Sequence, residues 1–176
     1  MSTASLLAER PAADEFAQYY ARYLAQVPDG DVVATLTSQI DDTLAFLRAL
    51  PAPRAAYRYA EGKWSVKEVV GHIADAERIF AYRALRIARG DETPLPGFDQ
   101  DPYVRAANFD ARSLLALASE LESVRRATLT LLRSMDDESL RRRGVASGAP
   151  VTARALAYII AGHERHHMEI LRTRYV

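Results

Sequence analysis

Four stretches of the chain space their apolar residues three and four apart, and none alternates them at two. That pattern makes helices packed on helices and leaves no material for a sheet. The first stretch runs from Asp31 to Leu50, with Val33, Leu36, Ile40, Leu44, Leu47 and Leu50 on one face and Pro51 as its stop. The second starts at Ser65, where Ser65 and Glu68 spell a capping box that satisfies orphaned amides at a helix start. Trp64 before the cap and Val69 after it form a hydrophobic staple, and Gly90 ends the helix after Arg89. The third begins near Asp110 and carries the seam Leu114, Leu117, Leu121, Val124, Thr128, Leu131 and Met135. The fourth follows Pro150, takes Thr152 as N-cap, and buries Leu156, Ile159, Ile160, Ile170 and Leu171. The expected class is therefore all-α, a four-helix bundle. A short additional helix is expected over 13–25.

Two connectors are long. One spans 52–64; the other, 91–109, contains TPLPGFDQDPYV and joins the second helix to the third. A structureless loop of that length is unusual in a compact domain, so the second connector is expected to cross the bundle or cover one end. One domain is expected over 1–176, with its core from about residue 31 to residue 174.

Composition removes several function classes. The chain has no Cys, which excludes disulfides, a thiolate nucleophile and Cys-ligated metals. Lys+Arg and Asp+Glu are both 23, so no broad basic field exists to bind nucleic acid. No apolar run approaches the roughly 20 residues of a membrane span, and MSTASLLAERPAADEF lacks the cationic start and apolar stretch of a secretory signal. The expectation is a cytoplasmic protein with a small-molecule substrate.

Only four histidines occur: His72, His163, His166 and His167. At about 100° per residue, His163 and His167 share the inward face of the fourth helix, and His72 shares the inward face of the second with Val69, Ala76 and Ile79. An inward imidazole can be a satisfied core residue. Two on adjacent turns are harder to accommodate that way, because each needs polar partners. H-x-x-x-H is also a metal-chelating spacing, so both readings stay open at this point. Three imidazoles suit zinc, nickel, copper or iron and leave a position for water or substrate. His166 falls off the centre of the face and reads as a boundary residue.

Other residues have two readings each. Asp75 lies three residues after His72; it is either the carboxylate that orients a ligand imidazole or a salt-bridged residue. Arg83 faces inward and reads as a member of a buried ion pair, with a substrate carboxylate as the other option. It sits about 16 Å along the axis from His72, too far for metal chemistry. Tyr19, Tyr20 and Tyr23 read as a packing stripe or dimer contact rather than a ligand cage. Lys63 reads as surface, and the arginines at 141–143 as a solvated turn.

YAEGKWSVKEVVGHIADAERIFAYRALRIARGD, followed by AYIIAGHERHHMEIL near the C-terminus, resembles the DinB/YfiT-like superfamily of small metal-binding bundles. The resemblance covers most of the chain from Asp31 onward. It implies an up-down-down-up arrangement with a long crossover between the second and third helices, and a homodimer. It implies three metal ligands, falling on His72, His163 and His167. The divalent ion it implies is zinc, with nickel as the other choice. Relatives of this kind include S-transferases and isomerases that use bacillithiol, mycothiol or glutathione, and metal-dependent hydrolases. The expected function is thus a metal-dependent enzyme that activates water or a low-molecular-weight thiol against a small electrophile, with no general acid or base assigned. The alternatives are a non-catalytic stress-response bundle in which the metal clips two helices, and a plain bundle without metal.

Overall fold

In the computed structural model, which describes residues 6–175, the chain order is α1 (Ala21–Leu24), α2 (Val32–Ala49), α3 (Val66–Ala88), α4 (Gln100–Ala107), α5 (Leu114–Arg133), α6 (Asp137–Arg141), β1 (Arg143–Ala146), β2 (Ala149–Thr152) and α7 (Ala153–Arg174). The first residues of the N-terminal segment and Val176 lie outside the described residues. No helix among those described is long and apolar enough to cross a membrane.

The four long helices are α2, α3, α5 and α7. Each starts on a side chain that accepts from its free amides: Asp31, Ser65, Ser113 and Thr152. At Ser65 both halves of the capping box are made, with the Glu68 amide donating to Oγ and the Ser65 amide to the Glu68 carboxylate. The third long helix begins at Ser113 rather than Asp110. Asp110 instead accepts from Ser65 Oγ and Arg58, tying the start of α5 to the start of α3.

The apolar faces collect into two clusters, one at each end of the bundle. One joins Val33 and Leu36 of α2, Phe80 and Ile87 of α3, Leu129 and Leu132 of α5, and Leu156 and Ile160 of α7. The other joins Ile40 and Leu47, Val69 and Ile73, Leu117 and Leu121, and Met168 and Leu171. The starts of α2 and α7 therefore share an end with the finishes of α3 and α5. The arrangement is up-down-down-up, and the parallel pair α3 and α5 requires a crossover.

That crossover is not structureless. Leu95 bonds to β1 through the Val145 carbonyl and the Ser147 amide, and α4 follows, capped by Asp99. Asn108 then turns the chain at φ 49°, which sets the Phe109 ring on Gly71 of α3. A Cβ on Gly71 would lie 2.4 Å from that ring, so glycine is required for the contact.

Two elements differ from expectation. The 13–25 segment is two 3₁₀ turns leading into the single turn of α1, because Glu15 is drawn to Thr152 Oγ1 and Arg154 at the start of α7 and the chain extends at Phe16. The 141–143 segment is not a solvated turn. Arg142 donates to the Ala88 carbonyl and Glu138, Arg143 pairs with Asp14, and Arg143 opens an antiparallel hairpin. The hairpin turns at Ser147-Gly148, both at positive φ, the geometry of a two-residue primed turn.

Candidate metal centre

His72 sits two turns into α3, where the Ser65 cap has fixed the helix start. The Trp64 indole lies 4.9 Å from its ring, and the Trp64 carbonyl is held by the Tyr175 hydroxyl. His163 and His167 come from adjacent turns of α7. Glycine precedes two of the three: Gly71 admits Phe109, and Gly162 admits the backbone of Tyr23. A Cβ at Gly162 would lie 2.2 Å from the Tyr23 carbonyl oxygen. The N-terminal segment is thereby seated beside His163, with the Tyr23 ring edge-on at 5.6 Å.

The three imidazoles meet. His163 Nε2 lies 3.1 Å from His72 Nε2 and 3.1 Å from His167 Nε2, and all three ring nitrogens fall within 4.8 Å of one another. His72 and His163 are buried, and His167 is half-buried. Burial lowers the His72 pKa to about 4. Burial, and then the charges of neighbouring histidines, hold His163 and His167 well below the ordinary value. The set is therefore neutral near pH 7, the protonation state in which imidazole ligates metals.

Protein groups alone do not satisfy this cluster. A neutral ring offers one donor and one acceptor, and the single in-plane lone pair or proton of His163 Nε2 cannot serve two facing nitrogens well. Three converging lone pairs with the ring protons on Nδ1 are what a divalent ion of the zinc or nickel type requires, so the donor set fits such an ion.

Two cavities border the centre. One, of about 430 Å³, is lined by His72 and His163 together with Tyr19, Tyr20, Tyr23, Phe80, Phe98 and Ser147. The other, of about 270 Å³, reaches His167 between Trp64, Val69 and Tyr175. The tyrosines expected to be a packing stripe or dimer contact thus wall the space beside the imidazoles. The Tyr19 and Tyr23 hydroxyls touch at 3.2 Å and both accept from Arg22. Burial and the Tyr19 hydroxyl push the Tyr23 phenol up to about 12, so it stays a neutral hydroxyl.

The remaining candidates lie elsewhere. Asp75 accepts from Arg78 at 3.3 Å, in a network with Glu120 and Arg112 on the α3–α5 side, and makes no hydrogen bond to His72 among the described residues. His166 stays at the boundary, its ring 5.1 Å from Tyr23. Glu68 is occupied by the cap and Arg58. Arg83 is buried but forms no ion pair among the described residues; it donates to the Pro96 carbonyl and Ser147 Oγ.

A second buried polar cluster went unread in the sequence. Arg125 of α5 donates from Nε and Nη2 to Glu77 at 2.9 and 2.8 Å, to Glu164 at 2.6 Å, and to the Leu36 carbonyl at 2.9 Å. Glu164 also accepts from Thr43 and Gln39. The signal was there: Arg125 sits next to Val124 and four residues after Leu121 in the seam, and Glu164 lies four residues after Ile160.

The sequence matches the family model described as the DinB superfamily over residues 35–171. A curated relative from Oceanobacillus iheyensis, named "Putative metal-dependent hydrolase", is 25% identical over 140 residues, 77% of each chain. The fold is similar to that of YfiT from Bacillus subtilis, described as having an unusual four-helix bundle topology, with a TM-score of 0.68, 16% identity, and 92% of this chain and 91% of that one covered. It is also similar to a mycothiol-dependent maleylpyruvate isomerase, with a TM-score of 0.66 and 14% identity, over 82% of this chain but only 61% of the isomerase. With its family model spanning most of the chain and its three histidines gathered at one point, the protein belongs to the DinB superfamily.

Proposed function

We propose that the protein is a metal-dependent enzyme whose divalent ion is held by His72, His163 and His167, and which directs water or a low-molecular-weight thiol at a small electrophile. The observation that carries this reading is the convergence of three neutral imidazoles, two buried and one half-buried, between two cavities. When bound, a zinc-type ion lowers the pKa of a bound water or thiol toward neutrality and polarises a carbonyl.

The chain's own residues supply position and environment. Trp64 and Phe80 pack against the His72 and His163 rings and fix their planes. Phe80, Phe98 and the tyrosines line one side of the site with aromatic surface against which a small substrate can pack. Tyr23, neutral and held by Tyr19 and Arg22, presents a hydroxyl beside His163. The cavity favours catalysis over a metal clip, since a clip needs no open space at its ligands. The hydrolase name of the curated relative supports the water-directed branch, and the mycothiol dependence of the isomerase supports the thiol branch.

The test uses protein purified without a histidine tag and loaded with zinc or nickel. It is assayed against ester and amide substrates, and against small electrophiles with bacillithiol, mycothiol and glutathione. Turnover abolished by a chelator and restored by metal is the expected result. A fully loaded protein with no chelator-sensitive turnover in either panel overturns the reading.

A further inference from the structure

Two arginines are buried among the described residues, and only one has a counter-charge. Arg125 faces two carboxylates. Arg83, 3% exposed, has none within ion-pair distance among the described residues. Two hydrogen bonds leave from Nη2 and end on neutral oxygens, the Pro96 carbonyl at 2.6 Å and Ser147 Oγ at 3.1 Å. The Tyr20 hydroxyl lies beside the guanidinium, but burial raises that phenol despite the adjacent charge, so it contributes no anion. The carboxylate of Asp99, on the cavity wall, accepts from the Asp101 amide at 3.1 Å. A buried cation without an anion is costly, and this one lies directly behind residues that line a cavity, with Nη2 as its bonded nitrogen toward Pro96 and Ser147.

Its neighbours are the walls of the larger cavity. Ser147, Tyr20, Phe80 and Phe98 all line that space, and the guanidinium carbon lies 5.9 Å from both phenyl centroids. Phe80 reaches the other way to the His163 ring at 5.7 Å. The guanidinium and the imidazoles therefore approach one aromatic wall from its two ends. Through Phe80 the guanidinium carbon lies within about 12 Å of the His163 ring, too far for both to act on one atom but within the span of a small molecule that lies along the cavity between them.

We propose that Arg83 is the carboxylate-recognising end of this cavity, so that the substrate is a small organic acid with a planar apolar body. The placement of its reactive centre at the imidazole end rests on the function proposed above; the recognition of the carboxylate does not. Binding to the metal-free protein separates the two.

Calorimetric titration with 3-phenylpropanoate and with its neutral amide, 3-phenylpropanamide, is run on metal-free and zinc-loaded protein. The acid is expected to bind about tenfold or more tightly than the amide in both states. Arg83→Met is expected to erase that preference, and Arg83→Lys to keep part of it. Because Arg83 also holds the crossover at Pro96, the wild type provides an independent readout: the ¹⁵N resonance of Arg83 Nε shifts with the acid and not with the amide. Equal binding of acid and amide, a preference that survives Arg83→Met, or a preference present only with zinc overturns the proposal. A preference retained in a protein that takes up no metal supports Arg83 and removes the catalytic reading instead.

Discussion

His163 and Glu164 are adjacent on α7, and each anchors a buried polar cluster, yet the two clusters obey opposite rules. Around Glu164, opposite charges meet inside the chain: Arg125 bridges two carboxylates and a carbonyl, and Thr43 Oγ1 and Gln39 Nε2 donate to the Glu164 carboxylate. Among the described residues, Gln39 Oε1 is the one buried side-chain polar atom without a partner. Around His163, three like groups face one another with no protein partner suited to them. The first cluster is closed and joins all four long helices at mid-height. The second is open and borders a cavity. Charge complementarity, more than burial, is what separates the two clusters: one sets a cation against carboxylates, the other sets like groups against each other.

The largest effect is expected from breaking the closed cluster. Arg125→Met leaves Glu77 and Glu164 buried without a counter-charge, which costs on the order of 3–5 kcal/mol. Chemical denaturation should register that loss with or without metal. The open cluster should behave differently. His72→Ala is expected to abolish zinc-induced stabilisation, which for the wild type is about 2.7 kcal/mol at a free zinc concentration of 100 times Kd. Melting curves with and without zinc measure this difference within each variant, so loss of packing does not confound it. A wild type that melts identically with and without zinc contradicts the comparison.

A third substitution probes the seam between the regions. Gly162→Ala drives a Cβ into the Tyr23 backbone, and overpacking of this kind costs roughly 1–3 kcal/mol. The N-terminal segment should loosen from α7, read as faster amide exchange around Tyr23. Protection unchanged from wild type would show that the close approach is not needed.

The smallest effect concerns Glu15, which fastens the N-terminal segment to α7. Burial alone would raise its carboxyl, but bonds from Arg154, the Ala12 amide and Thr152 outweigh burial and hold it below its ordinary 4.5. A depressed carboxyl adds stability above the unfolded-state value, and that stability is lost as pH falls through the lower folded-state value. Wild type should therefore lose stability below about pH 4.5 more steeply than Glu15→Gln, as followed by thermal melts across that range. Parallel pH profiles would remove Glu15 from the set of stabilising contacts.

Much of the architecture was legible because long amphipathic helices leave long signals. Four stripes, the Ser65 box and the Thr152 cap gave four helices within a few residues, and helical phase put three histidines on inward faces. The short elements left no comparable signal. Eight residues of α4, with Val104 alone buried, make no stripe, and each strand of the hairpin has four residues with the Ser-Gly turn as the cue. Phase also cannot rank inward polar residues. Arg83 faces inward as expected, but its partners come from the crossover and the hairpin, which no periodicity connects to α3. Tyr23 walls the cavity because Gly162 admits its backbone, a contact set by tertiary packing. Asp75 shows the reverse: correct spacing from His72, with a carboxylate committed to Arg78.

The most direct test of the account is the metal content of dialysed, tag-free protein after exposure to excess zinc, measured by elemental analysis on the wild type and four alanine variants. About one ion per chain is expected for the wild type and for His166→Ala, and close to none for His72→Ala, His163→Ala and His167→Ala. A folded wild type that retains no metal, or retention of a full equivalent after loss of any one of those three imidazoles, would contradict it.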